Sequence, residues 1–393
     1  MIQQLKEWFQ PFDLDVRKSN NARFTDQKVI PDVLCAVSEC VLEFVRTDTS
    51  KTFTKTDIWN SAYAQELITS SFNKPDLTDA KSEYDKFFAQ PLKALAYAKV
   101  LNEQKDGTTN YYSINNSEIL QYISLRERNA LDFLYIYLEK VIQDSGLSNA
   151  FDTFFEQQDK HSFETLRNTM FDFYKQNTKI KKDYEPSRIF NKIINILAFK
   201  KKKKGSVKGA LSKTPIYIDE IRYNRINWRD IGKEKGITRE EFSKVLLEDS
   251  SLQGYFKYNI QKAKKFVRLL HPFSEIHRFE QYPALQAHHI FMESEFPEIA
   301  DYPENIICIT PNQHFYRAHP NNKTSVIDKD YQIICLLSKL DSIEINNKEG
   351  KDDYSLSDFI DVLNIGFKTD YFKKTMDYEE LKHQIIKFSY HKS

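Results

Sequence analysis

Two histidines stand side by side at His288-His289. An asparagine follows at Asn305, a third histidine at His314 and a fourth at His319. Six of the nine histidines of this 393-residue chain fall between His271 and His319, so imidazole is concentrated in one short stretch. A neutral imidazole with a pKa near ~6.5 can take a proton from water at neutral pH, and imidazole is also a common ligand for divalent transition metals. A base beside metal ligands suits metal-assisted hydrolysis, in which a water is made nucleophilic and developing negative charge is neutralised. The four cysteines (Cys35, Cys40, Cys308, Cys335) show no C-x-x-C spacing, which excludes a paired-knuckle zinc site and a disulfide scaffold and favours a reducing cytoplasm. With only nine glycines and neither G-x-x-x-x-G-K-[ST] nor G-x-G-x-x-G, a glycine-rich nucleotide-binding enzyme is not expected.

Local physics predicts the elements that hold these side chains. Leu285 to Phe291 reads as a strand, and Ile306 to Ile309 as a short apolar, β-branched strand. Thr310 is suited to a helix N-cap, Pro311 to the first helical position and Gln313 to the far end of a capping box, so a helix starts at Pro311 with His314 on its first turn. Strand, loop, strand, helix makes a ββα unit. Its first strand delivers adjacent histidines to opposite faces, or splays them at a bulge, and its helix brings His314 from the other side.

The pattern His-His-x15-Asn-x8-His, within about 40 residues from Pro283 to Asn322, resembles the HNH (ββα-metal) nuclease motif. The resemblance implies His288 as a metal ligand, His289 as the general base that deprotonates water, Asn305 as the residue that holds the loop and orients the base, and His314 as the ligand on the helix. His319 stands five residues further on, before Pro320, where the family places a histidine four residues on. It is carried as a third ligand, with Asn322 or water as substitutes. One divalent ion is implied, Mg2+ or Mn2+ first, while an imidazole shell leaves Ni2+, Co2+ or Zn2+ open. Arg317 is a candidate phosphate contact. His271 and His277, beside Arg278, are read as packing rather than DNA-contacting.

The rest of the chain must bring substrate to this site. The formal net charge is only +1, yet from Lys179 to Lys233 sixteen Lys/Arg face five Asp/Glu, a local +11 that leaves −10 for the remainder. A neutral chain with one strongly basic segment suggests a polyanion bound at a defined place. Candidate contacts there are Lys200, Lys201, Lys202, Lys203, Lys204, Lys208, Arg222, Arg225 and Arg229, the arginines interleaved with Tyr223 and Trp228. Upstream, Pro31 to Arg46, a start near Thr56-Asp57 and Ala80 to Tyr97, broken or kinked at Pro91, read as three helices. Strands Ala98 to Asn102 and Asn110 to Ile114 then flank a Lys105-Asp106-Gly107-Thr108 turn. Three helices and a hairpin are the order of a winged helix-turn-helix, with Lys81, Lys86, Gln90 and Lys93 on or near the recognition helix and Lys105 at the wing tip. Ile119 to Val141 is expected as one long helix, with another marked by Phe163, Leu166, Met170 and Phe173. Two more are expected between Leu356 and Ser393.

The fold expected is therefore α+β: a mainly helical N-terminal part, 1–178, with a winged-helix-like unit at about 31–115; a basic segment, 179–268; a ββα-metal domain, 269–345; and C-terminal helices, 346–393. No run approaches 18 apolar residues, so no membrane span is expected, and the N-terminus lacks the apolar stretch of a signal peptide. The layout resembles type II restriction endonucleases of the HNH class. That implies double-stranded DNA as substrate, a partner methyltransferase that protects host DNA, pairing of two chains for double-strand cutting, and, from a recognition domain apart from the cleavage domain, type IIS cutting outside the recognised site. Three alternatives stand beside it. One is a modification-dependent or phage-defence HNH nuclease, and another a non-enzymatic winged-helix regulator with a structural metal. The third is a different nuclease signature, Pro75-Asp76 with Glu103-Gln104-Lys105, for which no buried parallel strand is visible.

Overall fold

The computed structural model describes residues 1–19, 22–72, 81–223, 250–276, 282–284, 286–318, 327–351 and 353–392. Mixed α+β and mostly helical, it has three two-stranded antiparallel sheets among the described residues. The chain forms two compact units, Ile2–Lys235 and Gly236–Ser393. The first therefore contains the opening part of the basic segment, and the second gathers the histidine stretch with the C-terminal helices. No helix among the described residues is long and apolar enough to cross a membrane.

The first unit runs α1 (Ile2–Phe9), α2 (Val16–Ser19), α3 (Pro31–Phe44), α4 (Lys55–Trp59), α5 (Ala62–Phe72), α6 (Lys81–Tyr97), β1 (Leu101–Asp106), β2 (Thr109–Ile114), α7 (Ser117–Leu125), α8 (Glu127–Asp144), α9 (Ser148–Gln157), α10 (Lys160–Asn177), α11 (Tyr184–Lys201), β3 (Ser206–Val207) and β4 (Ala210–Leu211). Between α3 and α4, Phe53 and Tyr112 of β2 exchange backbone bonds of 2.9 and 2.7 Å, which adds an antiparallel rung beside the hairpin. Thr54 and Asp57 close a capping box on α4.

Helix α6 covers the span expected of it, with Pro91 inside and no break there. Two expectations are corrected here. The first hairpin strand begins at Leu101, not Ala98: Lys99 turns left-handed (φ 62°) and Val100 N–H returns to the Leu95 carbonyl, so residues 98–100 close the helix. The expected single helix from Ile119 to Val141 is two, because Arg126 is extended (φ −163°). Asn129 holds that break, accepting from Arg126 Nε at 2.8 Å and donating to the Tyr122 carbonyl at 3.0 Å.

The second unit contains α12 (Ser250–Leu270), β5 (Gln286–His289), β6 (Ile306–Ile309), a short helix α13 (Pro311–Gln313) that widens into a π-turn at His314–Ala318, α14 (Lys329–Lys348), α15 (Leu356–Gly366) and α16 (Tyr378–Lys392). Strand β6 is buried along its whole length. Ile307 and Ile309 join Leu336, Leu340, Phe359 and Leu363 in one apolar cluster, so the helices α14 and α15 form the floor beneath the β5–β6 ladder. A Cβ on Gly366 would sit 2.4 Å from the Phe291 ring, so α15 approaches the exit of β5 as closely as a glycine allows.

Candidate active site

The ladder fixes the first histidines. β5 and β6 pair antiparallel with His288 opposite Ile307 and His289 opposite Ile306. Alternation along β5 sends the two imidazoles to different neighbours. His288 is buried and meets His314 edge to face, ring centres 5.2 Å apart at 80°. Thr310 caps α13, accepting from Gln313 N–H at 3.2 Å, while Gln313 Oε1 accepts from Thr310 N–H at 2.8 Å, the capping box that the sequence predicts. Ser274 Oγ donates to the same Oε1 at 2.8 Å and anchors the cap to the segment under β6. His314 therefore sits where the helix widens into its π-turn, a deformation common at functional sites.

His289 faces the loop after β5. Its Nε2–H donates to the Ala300 carbonyl at 2.9 Å, which can only accept, so the tautomer is fixed with the lone pair on Nδ1. Nδ1 lies 3.8 Å from Glu293 Oε2, and Lys264 Nζ lies 3.9 Å from the same oxygen. Burial and then the Lys264 charge hold His289 below the ordinary imidazole pKa, against the opposing pull of the Ala300 bond and Glu293.

Asn305 is fully buried. Its Oδ1 accepts from Phe291 N–H at 2.9 Å, and its Nδ2 donates to the carbonyls of Phe291 at 3.0 Å and Ile299 at 3.2 Å. The resemblance implies that it orients His289. Asn305 does not touch that ring: it ties the exit of β5 to Ile299, and the next residue, Ala300, accepts from His289. Asn305→Ala is expected to lower stability by about 3 kcal/mol or more, since it strips a buried N–H and two carbonyls of their partner. Thermal unfolding followed by circular dichroism measures this, and an unchanged midpoint would remove the bracing role.

Beneath β6 lies a buried charged network. Glu275 N–H donates to the Cys308 carbonyl at 3.0 Å, and Cys308 N–H donates to Glu275 Oε1 at 2.7 Å. Lys339 Nζ lies 2.9 Å from Glu275 Oε2, and Ser342 Oγ donates to that oxygen at 2.6 Å; neither side chain of the ion pair is exposed. His271 Nε2 and Tyr354 Oη lie 2.9 Å apart, and the two rings stack. Burial pushes the Cys308 thiol up to about 12, so it offers no thiolate.

Two imidazoles on one ion, each with a nitrogen about 2.1 Å from it, have ring centres ~5 Å apart, and the His288–His314 pair fits that spacing. Among the described residues no group of three or more His, Cys, Asp or Glu gathers to hold a metal. His319, Asn322, His277, Arg225, Arg229 and Asp76 lie outside the described residues, as does the side chain of Lys81.

Several candidate DNA contacts are engaged inside the first unit. Gln90 Oε1 accepts from Lys28 N–H at 2.8 Å, and Lys93 Nζ bonds the Glu103 carboxylate at 2.6 Å. Lys200 bonds Asp132 at 2.5 Å, Lys201 bonds Glu139 at 2.9 Å, and Arg222 Nε bonds Glu127 at 2.8 Å. These side chains face partners on their own unit. Glu103 lies on an antiparallel strand, tied to Lys93, which gives the competing nuclease signature no support. Lys86, Lys105, Lys202, Lys203, Lys208 and Arg317 are exposed, and Lys204 is half-buried. An open cleft of about 610 Å³ lies along α6, lined by Lys86 and Lys93, by Arg188 of the basic segment, and by two cations that the sequence reading missed, Arg23 and Lys55.

Sequence reading also missed Lys264, Glu293, Ala300, Glu275 and Lys339. The first and last carried a signal: each is a lysine on an otherwise apolar helical stripe, Ile260-Ala263-Val267 in α12 and Leu336-Leu340-Ile343 in α14. No family model, curated protein or solved structure matches the chain.

Proposed function

We propose that the chain is a metal-dependent endonuclease of the HNH type that hydrolyses double-stranded DNA at or near a short recognition sequence, as a type II restriction enzyme does. The observation that carries this reading is the ββα arrangement around two facing imidazoles: His288 on β5, His314 on a capped helix, and between them in sequence a base, His289, with its tautomer set by Ala300. In the reaction, a water oxygen bonds to phosphorus as its proton passes to Nδ1 of His289. The bond from phosphorus to the 3′ oxygen breaks, and that oxygen leaves with a proton from solvent. A divalent ion held by His288 and His314 would supply positive charge at the phosphate and the departing oxygen. Asn305 keeps the loop that holds the base.

The first unit serves as the DNA-binding part. Helix α3, the Phe53 rung, α4–α5, α6 and the β1–β2 hairpin follow one another as in a winged helix, with Lys86 on α6 and Lys105 beside the hairpin tip exposed for phosphate contact. Incubation with unmethylated plasmid DNA and a panel of divalent metals tests the reading. Discrete fragments, lost with EDTA, are expected. Cutting only of methylated DNA would transfer the protein to the modification-dependent class. Tight binding without cutting of either substrate would leave a regulator.

A further inference from the structure

We infer that Lys264 is a catalytic residue of this site: its ammonium takes a non-bridging oxygen of the scissile phosphodiester, and the Glu293 carboxylate occupies that oxygen's place until DNA arrives. This rests on the nuclease reading above.

The geometry is that of an internal mimic. One anionic oxygen, Glu293 Oε2, already stands 3.8 Å from the base nitrogen of His289 and 3.9 Å from the Lys264 ammonium. Both separations are longer than hydrogen bonds, so the carboxylate sits between the two groups without being locked to either. A phosphodiester oxygen brought to the same position would lie against the cation, with its phosphorus beside the group that deprotonates water. The two partners differ in freedom. The Glu293 side chain is 47% exposed on the loop after β5 and can rotate into solvent; that of Lys264 is 20% exposed and leaves its helix stripe only with its stem.

The position of Lys264 also calls for a reason. It shares the buried stripe of α12 with Ile260, Ala263 and Val267, where an apolar residue would pack. Burial pulls its pKa down, and the opposing pull of Glu293 only partly offsets this. A half-exposed carboxylate at such a distance gives little stability in return. A partly buried cation beside a base is worth far more to a reaction that gathers negative charge on a phosphate. Lys264 adds and removes no proton; it offsets that charge while the phosphorus–oxygen bonds are exchanged.

The test uses the full-length chain, a cleavable duplex and its binding with EDTA present. Lys264→Met is expected to cut about 100-fold more slowly in single turnover. The slope of log affinity against log salt should fall by about 1, the mark of one lost phosphate contact. Lys264→Arg should stay within about tenfold of the parent, because the charge is kept. Glu293→Gln should bind and cut at least as well. The inference is overturned if Lys264→Met cuts at the parental rate, if its loss comes with an unchanged salt slope and no rescue by arginine, or if Glu293→Gln loses as much as Lys264→Met. A parent chain that cuts nothing, indistinguishable from His289→Ala, overturns the nuclease reading and this inference with it; an active parent with indifferent lysine variants overturns this inference alone.

Discussion

Lys339→Met is expected to lower the stability of the Gly236–Ser393 unit by about 3–5 kcal/mol, because it strands a buried carboxylate. Glu275 and Lys339 have no side-chain exposure, and they meet at 2.9 Å on the far side of β6 from its partner strand. Burial alone would push the Glu275 carboxyl up. Lys339, His271, the Ser342 hydroxyl and the Cys308 N–H overcome this and hold it below the usual carboxylate range. The sign of the pH effect follows. With a folded pKa below the unfolded value of about 4.5, the carboxylate contributes fully above that pH, and the contribution is lost as pH falls through the folded pKa. In Lys339→Met the holding charge is gone and Glu275 protonates more readily, so the deficit should be largest at neutral pH and shrink in acid. Urea unfolding followed by circular dichroism at neutral and acid pH measures both effects. Wild-type midpoints at each pH would show that the pair contributes nothing. The double variant Glu275→Gln with Lys339→Met should recover part of the loss, as removing both charges is milder than removing one.

His289→Ala is expected to reduce DNA cutting by 10²–10⁴-fold or so, the usual effect of losing a general base, while leaving the fold and DNA affinity in place. The imidazole is largely buried and donates to one backbone acceptor, so its loss forfeits a hydrogen bond of about 1 kcal/mol together with the packing around the ring, and cutting is compared with folding checked by circular dichroism. His288→Ala and His314→Ala should separate from it by their metal response. Raising the divalent concentration is expected to restore part of the cutting lost in those variants and none of that lost in His289→Ala. Equal rescue of all three would place the base elsewhere.

The site was legible where its geometry is local. The capping box at Thr310 and Gln313, the apolar run of β6 and the adjacent histidines on β5 are each fixed within a few residues, and they lie where spacing places them. What closes the site is distant in sequence. Ala300, Glu293 and Lys264 meet His289 through loop and helix geometry that no period encodes, and Lys339 reaches Glu275 across 64 positions. In the first unit the helices and hairpin follow from apolar periodicity and turn residues. The breaks do not: Arg126 interrupts an apolar helical pattern because Asn129 holds its backbone open, and Lys99 supplies a left-handed close without glycine. The partners of Lys200 and Lys201 were not legible either, because local charge says nothing of Asp132 and Glu139 on another helix.

The dependence of the ladder on α14 and α15 has a consequence for synthesis. β5 and β6 are four residues each, and an isolated two-stranded hairpin of that size is marginal in water. Every side chain proposed to act on DNA, through His314, leaves the ribosome before Leu336, Lys339, Phe359 and Leu363, which form the floor and the buried pair. A nascent chain thus holds the chemistry before it holds a surface that can aim it. At about 5–20 residues per second, competence trails the last reactive side chain by several seconds.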